Sequence, residues 1–328
     1  MANTTQQPRP GAWTEFSAEF TRCWRLLPNK ALFFVLLGSW LLLFQFVGNC
    51  TFGYVDTSSL MYWMYNAYEQ NAGNEEHGLL IPFVVLALLW WKRERLLALP
   101  LRAWSPGLAL LALALFCHMI GYRGQQARLS VVAFFLGIYG LMALAWGREL
   151  LVATRFPFFL FLFCIPLGSL SEPITFPMRI MVTKIVAVVA HGLGMNVIRE
   201  GTQLFNAGHT YHYEVAAACS GLRSVIAILC LATIYAFCSF ASPGRRVLMI
   251  LAGFPLAVAG NALRLLCVIT AAEVAGRETG NYVHESAIFS LLPYVPAFAG
   301  VFGLGRWLRE PAPPPAPPTP LAGHPQTA

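Results

Sequence analysis

The chain has 328 residues, of which 57% are hydrophobic and only 11% charged, and its mean hydropathy is +0.59. Soluble domains carry about 25% charged residues, so this composition excludes a water-exposed globular fold and predicts a polytopic membrane protein whose surface faces lipid. The formal net charge of +7 does not mark a nucleic-acid binder, because the basic residues fall in short clusters between apolar runs, as in the loops of membrane proteins.

In chain order, residues 1–30 read as a polar cytoplasmic segment. The first apolar run begins near Ala31 with no clear cleavage site after it, so no cleavable signal peptide is expected. About eight spanning helices are predicted, at 31–48, 78–92, 105–121, 129–147, 151–171, 216–240, 246–271 and 286–307, since a bilayer core takes about 20 apolar residues per helix. The expected fold is an all-α membrane bundle over residues 31–307, with neither an internal repeat nor a second domain. Residues 308–328 are Pro-rich and predict a disordered cytoplasmic tail.

Orientation follows from Lys and Arg. Arg22, Arg25 and Lys30 precede the first run, and Lys92, Arg93, Arg95 and Arg102 follow the second. Arg245 and Arg246 separate the sixth from the seventh, and Arg306 and Arg309 follow the eighth. All share one side if both termini are cytoplasmic; Arg123 and Arg128 break the rule mildly, in a short external turn. The 49–77 loop carries Asp56, Glu69, Glu75 and Glu76 with no Lys or Arg, and belongs outside. Segment 173–195 is apolar but holds Arg179, Lys184 and His191. Were it to cross, it would put Arg245 and Arg246 outside, so it is expected as an interfacial or re-entrant helix.

The eight cysteines (23, 50, 117, 164, 219, 230, 238 and 267) form neither a CxxC pattern nor a disulfide framework, and most read as small apolar fillers. Cys219 is set apart by its place. It stands with Arg223 in EVAAACSGLRS, about one turn below the outer end of the sixth run. Arg264, in GNALRL, falls in the outer third of the seventh, and His284, in YVHES, just before the eighth. Ionisable groups are costly in a bilayer, about 2.5–3.5 kcal/mol at a helix centre on insertion scales, so three such elements converging on one face predict chemistry.

The chemistry is acyl transfer. A thiol near a helix N-terminus and beside a cation is biased toward thiolate. Arg264 holds its proton and can stabilise that thiolate or an oxyanion, while His284 can serve as acid for a leaving amine or base for an incoming one. Each residue also has a bland reading. Cys219 among small residues suits tight helix packing, Arg264 can snorkel to headgroups, and a loop histidine alone signals little. The functional case rests on their coincidence.

The motifs CSGLRS (219–224), NALR (261–264) and HES (284–286) resemble the exosortase/archaeosortase family of membrane transpeptidases. The likeness extends to HGLLIPFVVLALLWW (77–91), FPFFLFLFCIPLGSL (156–170) and IREGTQLF (198–205), and spans roughly residues 31–307. It implies Cys219 as nucleophile, Arg264 as the essential arginine and His284 as the third catalytic residue, with Arg223, Asn261, Glu214 and Ser220 in support. It further implies a protease/transpeptidase of the cell (inner) membrane that needs no cofactor. Its substrates would be exported proteins with a C-terminal tripartite signal: a short motif such as Pro-Glu-Pro, a transmembrane helix and a basic end. The cleaved protein would pass to a lipid or surface-polymer acceptor.

Two rivals stay open. A transporter would line a passage with polar groups, and His118 and Arg155 are the residues that fit one; a non-catalytic assembly subunit would tolerate loss of Cys219. HxxH at His209 and His212, with His284, is a weak metal pattern, and no metal is expected.

Overall fold

A computed structural model of the chain describes residues 11–51, 55–70, 75–214 and 222–310. The first half runs through α1 (Ala12–Leu26), α2 (Lys30–Val47), α3 (Leu60–Gln70), α4 (His77–Trp91), α5 (Arg93–Leu97), α6 (Gly107–Arg123), α7 (Ala127–Trp146) and α8 (Arg148–Phe159). The second runs through α9 (Glu172–Gly192), strands β1 (Val197–Glu200), β2 (Gln203–Asn206) and β3 (His212–Glu214), then α10 (Leu222–Ser239), α11 (Pro243–Ala275), α12 (Arg277–Glu285), α13 (Ala287–Ser290) and α14 (Tyr294–Trp307).

Among the described residues, α2, α7, α9, α11 and the 288–307 stretch containing α14 are long and apolar enough to cross a membrane; α4, α6 and Ser224–Ser239 of α10 are apolar but shorter. The chain is thus a multi-pass helical membrane protein, and seven of the eight expected runs coincide with one of these helices. The expected run at 151–171 is not one regular α-helix. α8 ends at Phe159, a 3-10 helix covers Leu160–Cys164, and Ile165 is extended at φ −78°, ψ 114°. Pro166 explains the break, because a proline forces the residue before it out of the helical region.

The segment beyond that break fixes one end of the bundle. Glu75, just ahead of α4, accepts hydrogen bonds from the Leu167 and Gly168 amides at 2.9 and 3.0 Å. Arg128, at the start of α7, donates to the Pro166 and Leu167 carbonyls at 2.6 and 2.9 Å. At the opposite end, Lys92, Arg148, Arg246 and Phe237 of α10 line one cavity. Since α10 closes at that Lys92 end, it opens at the Glu75 end, where α9 also begins. The chain between Glu172 and Leu222 therefore leaves and returns to the same end. An interfacial or re-entrant α9 accords with this return, and α9 is itself long and apolar enough to cross a membrane.

The strands were not expected. β1, β2 and β3 pair antiparallel in that order, with Val197 opposite Asn206 and Gln203 opposite Glu214. Glu200 pairs with Gln203 across a two-residue turn whose first residue, Gly201, has φ 58°, a conformation glycine adopts without strain. Val197, Leu204 and Tyr213 face one core with Val182, Val186 and Ala190 of α9, Val268, Ile269 and Ala272 of α11 and Val283 of α12. The 33 residues of α11 span about 50 Å, against a hydrocarbon core of about 30 Å. Its final turns can therefore leave the bilayer and carry α9, the sheet and α12 at the Glu75 end.

Glycines set the closest helix crossings. A Cβ on Gly137 of α7 would lie 1.9 Å from Cζ2 of Trp40 on α2, whose indole donates to the Phe134 carbonyl at 3.0 Å. Gly137→Leu is expected to destabilise the bundle by about 1–3 kcal/mol through overpacking, read as a lower thermal midpoint in detergent; an unchanged midpoint would mean that α2 and α7 do not pack this way.

Candidate active site

The site is built where α11, α12 and β3 meet. Arg264 lies on α11 one helical turn beyond Asn261, so the two share a face. Asn261 is buried, beside the crossing of Gly260 with the Pro293 carbonyl, and Arg264 is half-buried. Arg264 Nη2 donates to the His284 carbonyl at 3.1 Å. His284 is the penultimate residue of α12, so its carbonyl is among the last four that a helix leaves unsatisfied. A guanidinium there answers both the missing donor and the negative end of the helix dipole. Two residues singled out in sequence twenty positions apart are thus joined directly. Arg264 Nε is buried with no partner among the described residues.

The imidazole of His284 is half-buried and stacks on Tyr213 of β3, with ring centroids 6.0 Å apart and planes 24° from parallel. Tyr213 Oη donates to Asn281 Oδ1 at 3.2 Å, which ties the strand to α12 one turn before His284. A Cβ on Gly280 would lie 2.2 Å from that hydroxyl, so only glycine lets the strand and helix approach this closely. Burial lowers the His284 pKa first, the positive charge of Arg264 lowers it further, and Glu285 opposes both. The ring is therefore neutral at pH 7 and competent to take a proton.

The other candidates fall as follows. Cys219 and Ser220 lie outside the described residues, three and two positions before Leu222, the first residue of α10. Arg223 sits in the first turn of α10. Glu214 is exposed on β3, where alternation puts it on the face opposite Tyr213, so it does not join Arg264 and His284. His209 stacks on Phe205 at 4.9 Å, and His212 is exposed on β3 beside the same ring. Of the residues that suggested a passage, His118 is buried in the bundle with Nδ1 3.0 Å from Ser130 Oγ, and Arg155 is exposed at the Lys92 end. Tyr213, Gly280 and Asn281 are participants that sequence reasoning missed. Aromatics two apart in HTYHYEV were the available signal, because they mark a strand with one face buried.

Residues 69–310 match the transmembrane exosortase family. The match covers most of the chain and includes every candidate site residue, so the chain belongs to the transmembrane exosortases. It starts within α3, leaving α1 and α2 outside the matched segment. No curated protein and no solved structure matches the chain.

Proposed function

We propose that this exosortase is a cysteine transpeptidase of the cell (inner) membrane, with both termini cytoplasmic and its active site on the extracytoplasmic face. It cleaves the C-terminal sorting signal of exported proteins and passes them to a lipid or surface-polymer acceptor. The observation that carries the reading is the Arg264–His284 junction, a fixed cation and a neutral imidazole held together at the end of the bundle where α10 begins. Cys219, three residues before α10, supplies the nucleophile. Neutral His284 takes the proton of the Cys219 thiol as the sulfur attacks the scissile carbonyl carbon; a C–S bond forms, the C–N bond breaks, and the leaving amine takes that proton from the resulting imidazolium. Arg264 stabilises the negative charge, first on sulfur and then on oxygen. An acceptor nucleophile then gives up its proton to neutral His284 and releases the acyl group. The exported substrate meets this site without crossing the bilayer again.

The reading is tested by co-expressing the chain with a tagged exported protein that ends in a short Pro-Glu-Pro motif, an apolar helix and a basic cluster. Cleavage near the motif is expected only when the chain is present. Full-length substrate in both cases would overturn the substrate class.

The protonation of His284 makes a further prediction. The acid limb of the processing rate is expected below the ordinary histidine value of about 6.5, since burial and Arg264 both disfavour the imidazolium. A pH–rate profile of the reconstituted enzyme reads this directly, and a limb well above that value would remove His284 as the proton-transferring group.

A further inference from the structure

At the end of the bundle opposite His284 lies a cavity of about 570 Å3 lined by Lys92, Arg95, Arg148, Arg155 and Arg246, with Glu149 as the lone carboxylate among its lining residues. Four separate stretches contribute these cations: the end of α4, α5, α8 and the start of α11. A general excess of basic residues on one membrane side is a topological signal, but it does not require them to surround one space. Cations nearby are neutralised within the chain. Arg22 pairs with Glu19 and Glu94, Arg93 with Glu19, and Arg245 with Glu310. Glu310 also lends a longer-range attraction to Arg246. The cavity's five cations make no ion pair with a carboxylate among the described residues.

Aromatic rings hold two of the charges in place. Lys92 Nζ lies 5.7 Å from the centroid of Phe156, and the Arg246 guanidinium 4.8 Å from that of Phe237. Arg246 also donates to the Phe240 carbonyl at 2.8 Å. The arrangement is built before any ligand arrives, and its like charges repel until an anion enters. We infer that this cavity binds a phosphate-bearing anion, with several guanidinium groups to meet the phosphate oxygens. Its position, where the apolar runs of α4 and α10 end, puts the phosphate at the depth of lipid headgroups. The same chemistry is offered by an acidic phospholipid and by soluble phosphate, and the experiment separates the two.

The full chain is placed in nanodiscs of phosphatidylcholine alone or of equimolar phosphatidylcholine and phosphatidylglycerol, then examined by native mass spectrometry and by thermal shift with inorganic phosphate. Arg148→Gln/Arg155→Gln removes two cavity cations; Arg25→Gln/Arg309→Gln removes the same charge from outside the cavity. A phosphatidylglycerol that stays on the wild-type and control proteins, but is retained about tenfold less by the cavity variant, establishes the lipid source. A phosphate-induced rise in thermal midpoint in phosphatidylcholine alone, absent from the cavity variant, establishes the soluble source. If neither ligand binds, or if both variants lose binding equally, the inference fails. Should the Arg148/Arg155 variant not fold, Lys92→Gln/Arg95→Gln removes two other lining cations and tests the cavity in the same way.

Discussion

Cys219→Ala is expected to reduce processing of a tagged sorting-signal substrate by at least about 10³-fold, below the detection limit of a cell-based assay. Without the thiol there is no group to carry the acyl intermediate, and what survives is binding and whatever the Arg264 cation contributes. The substitution exchanges one small side chain for another, so the variant is expected to insert and accumulate as the wild type does. Cys230→Ala is the matched control. Cys230 is buried on α10 against Ile81, Val85 and Leu160, so its loss costs packing while leaving the His284 end untouched. It is expected to process at the wild-type rate with a lower thermal midpoint. Mass spectrometry of the wild type stopped with acid should find a substrate fragment in thioester linkage to Cys219. Undiminished processing by Cys219→Ala would sink acyl transfer, and the passage and assembly readings would return to the front.

The parts of this fold that were legible in sequence are those the bilayer dictates. HGLLIPFVVLALLWW becomes α4 from His77 to Trp91 because an apolar run of that length has no other way to satisfy its backbone in lipid. Charge counting placed Arg264 and His284 at one end, and the hydrogen bond between them follows from that topology. Hydropathy misled at 151–171, where the run stays apolar through Ile165 and Pro166 but proline chemistry ends the helix early. It was silent on α1, whose aromatic residues Trp13, Phe16, Phe20 and Trp24 lie three or four apart within an otherwise polar stretch and stack in succession. Apolar side chains at helical spacing on a polar background carry periodicity without hydropathy. The sheet was hidden for a different reason. Strands of three or four residues offer too few alternations to stand out, and they are held by long-range partners such as Thr183, which donates to the Gly201 carbonyl at 3.3 Å. That sheet is what brings Tyr213 to His284, so the least legible element completes the site.

Arg264 is expected to be nearly as sensitive as Cys219, with Arg264→Leu losing about 10³-fold and Arg264→Lys about 10²-fold in kcat/KM. Two causes could produce that loss, and the geometry separates them. If Arg264 acts only by capping α12 through the His284 carbonyl, both variants free a helix-terminal acceptor. A hydrogen bond from a charged donor contributes about 1.5–3 kcal/mol, less where water reaches it. The damage would then track a fall in thermal midpoint, and Gly280→Ala, which wedges α12 from Tyr213, would mimic it. If the fixed cation itself stabilises the thiolate and the oxyanion, Arg264→Lys keeps the charge and part of the rate, while Arg264→Leu loses both at little further cost in stability. The acid limb adds an independent readout. Arg264→Leu removes a positive neighbour from His284, so the imidazolium becomes easier to form and the limb moves up toward the ordinary histidine value, although burial still holds it below. Arg264→Lys leaves the limb near its wild-type position. Processing by Arg264→Leu within about threefold of wild type, a change of only about 0.7 kcal/mol in the barrier, would show that this cation has no part in the chemistry and that its bond to His284 is structural alone.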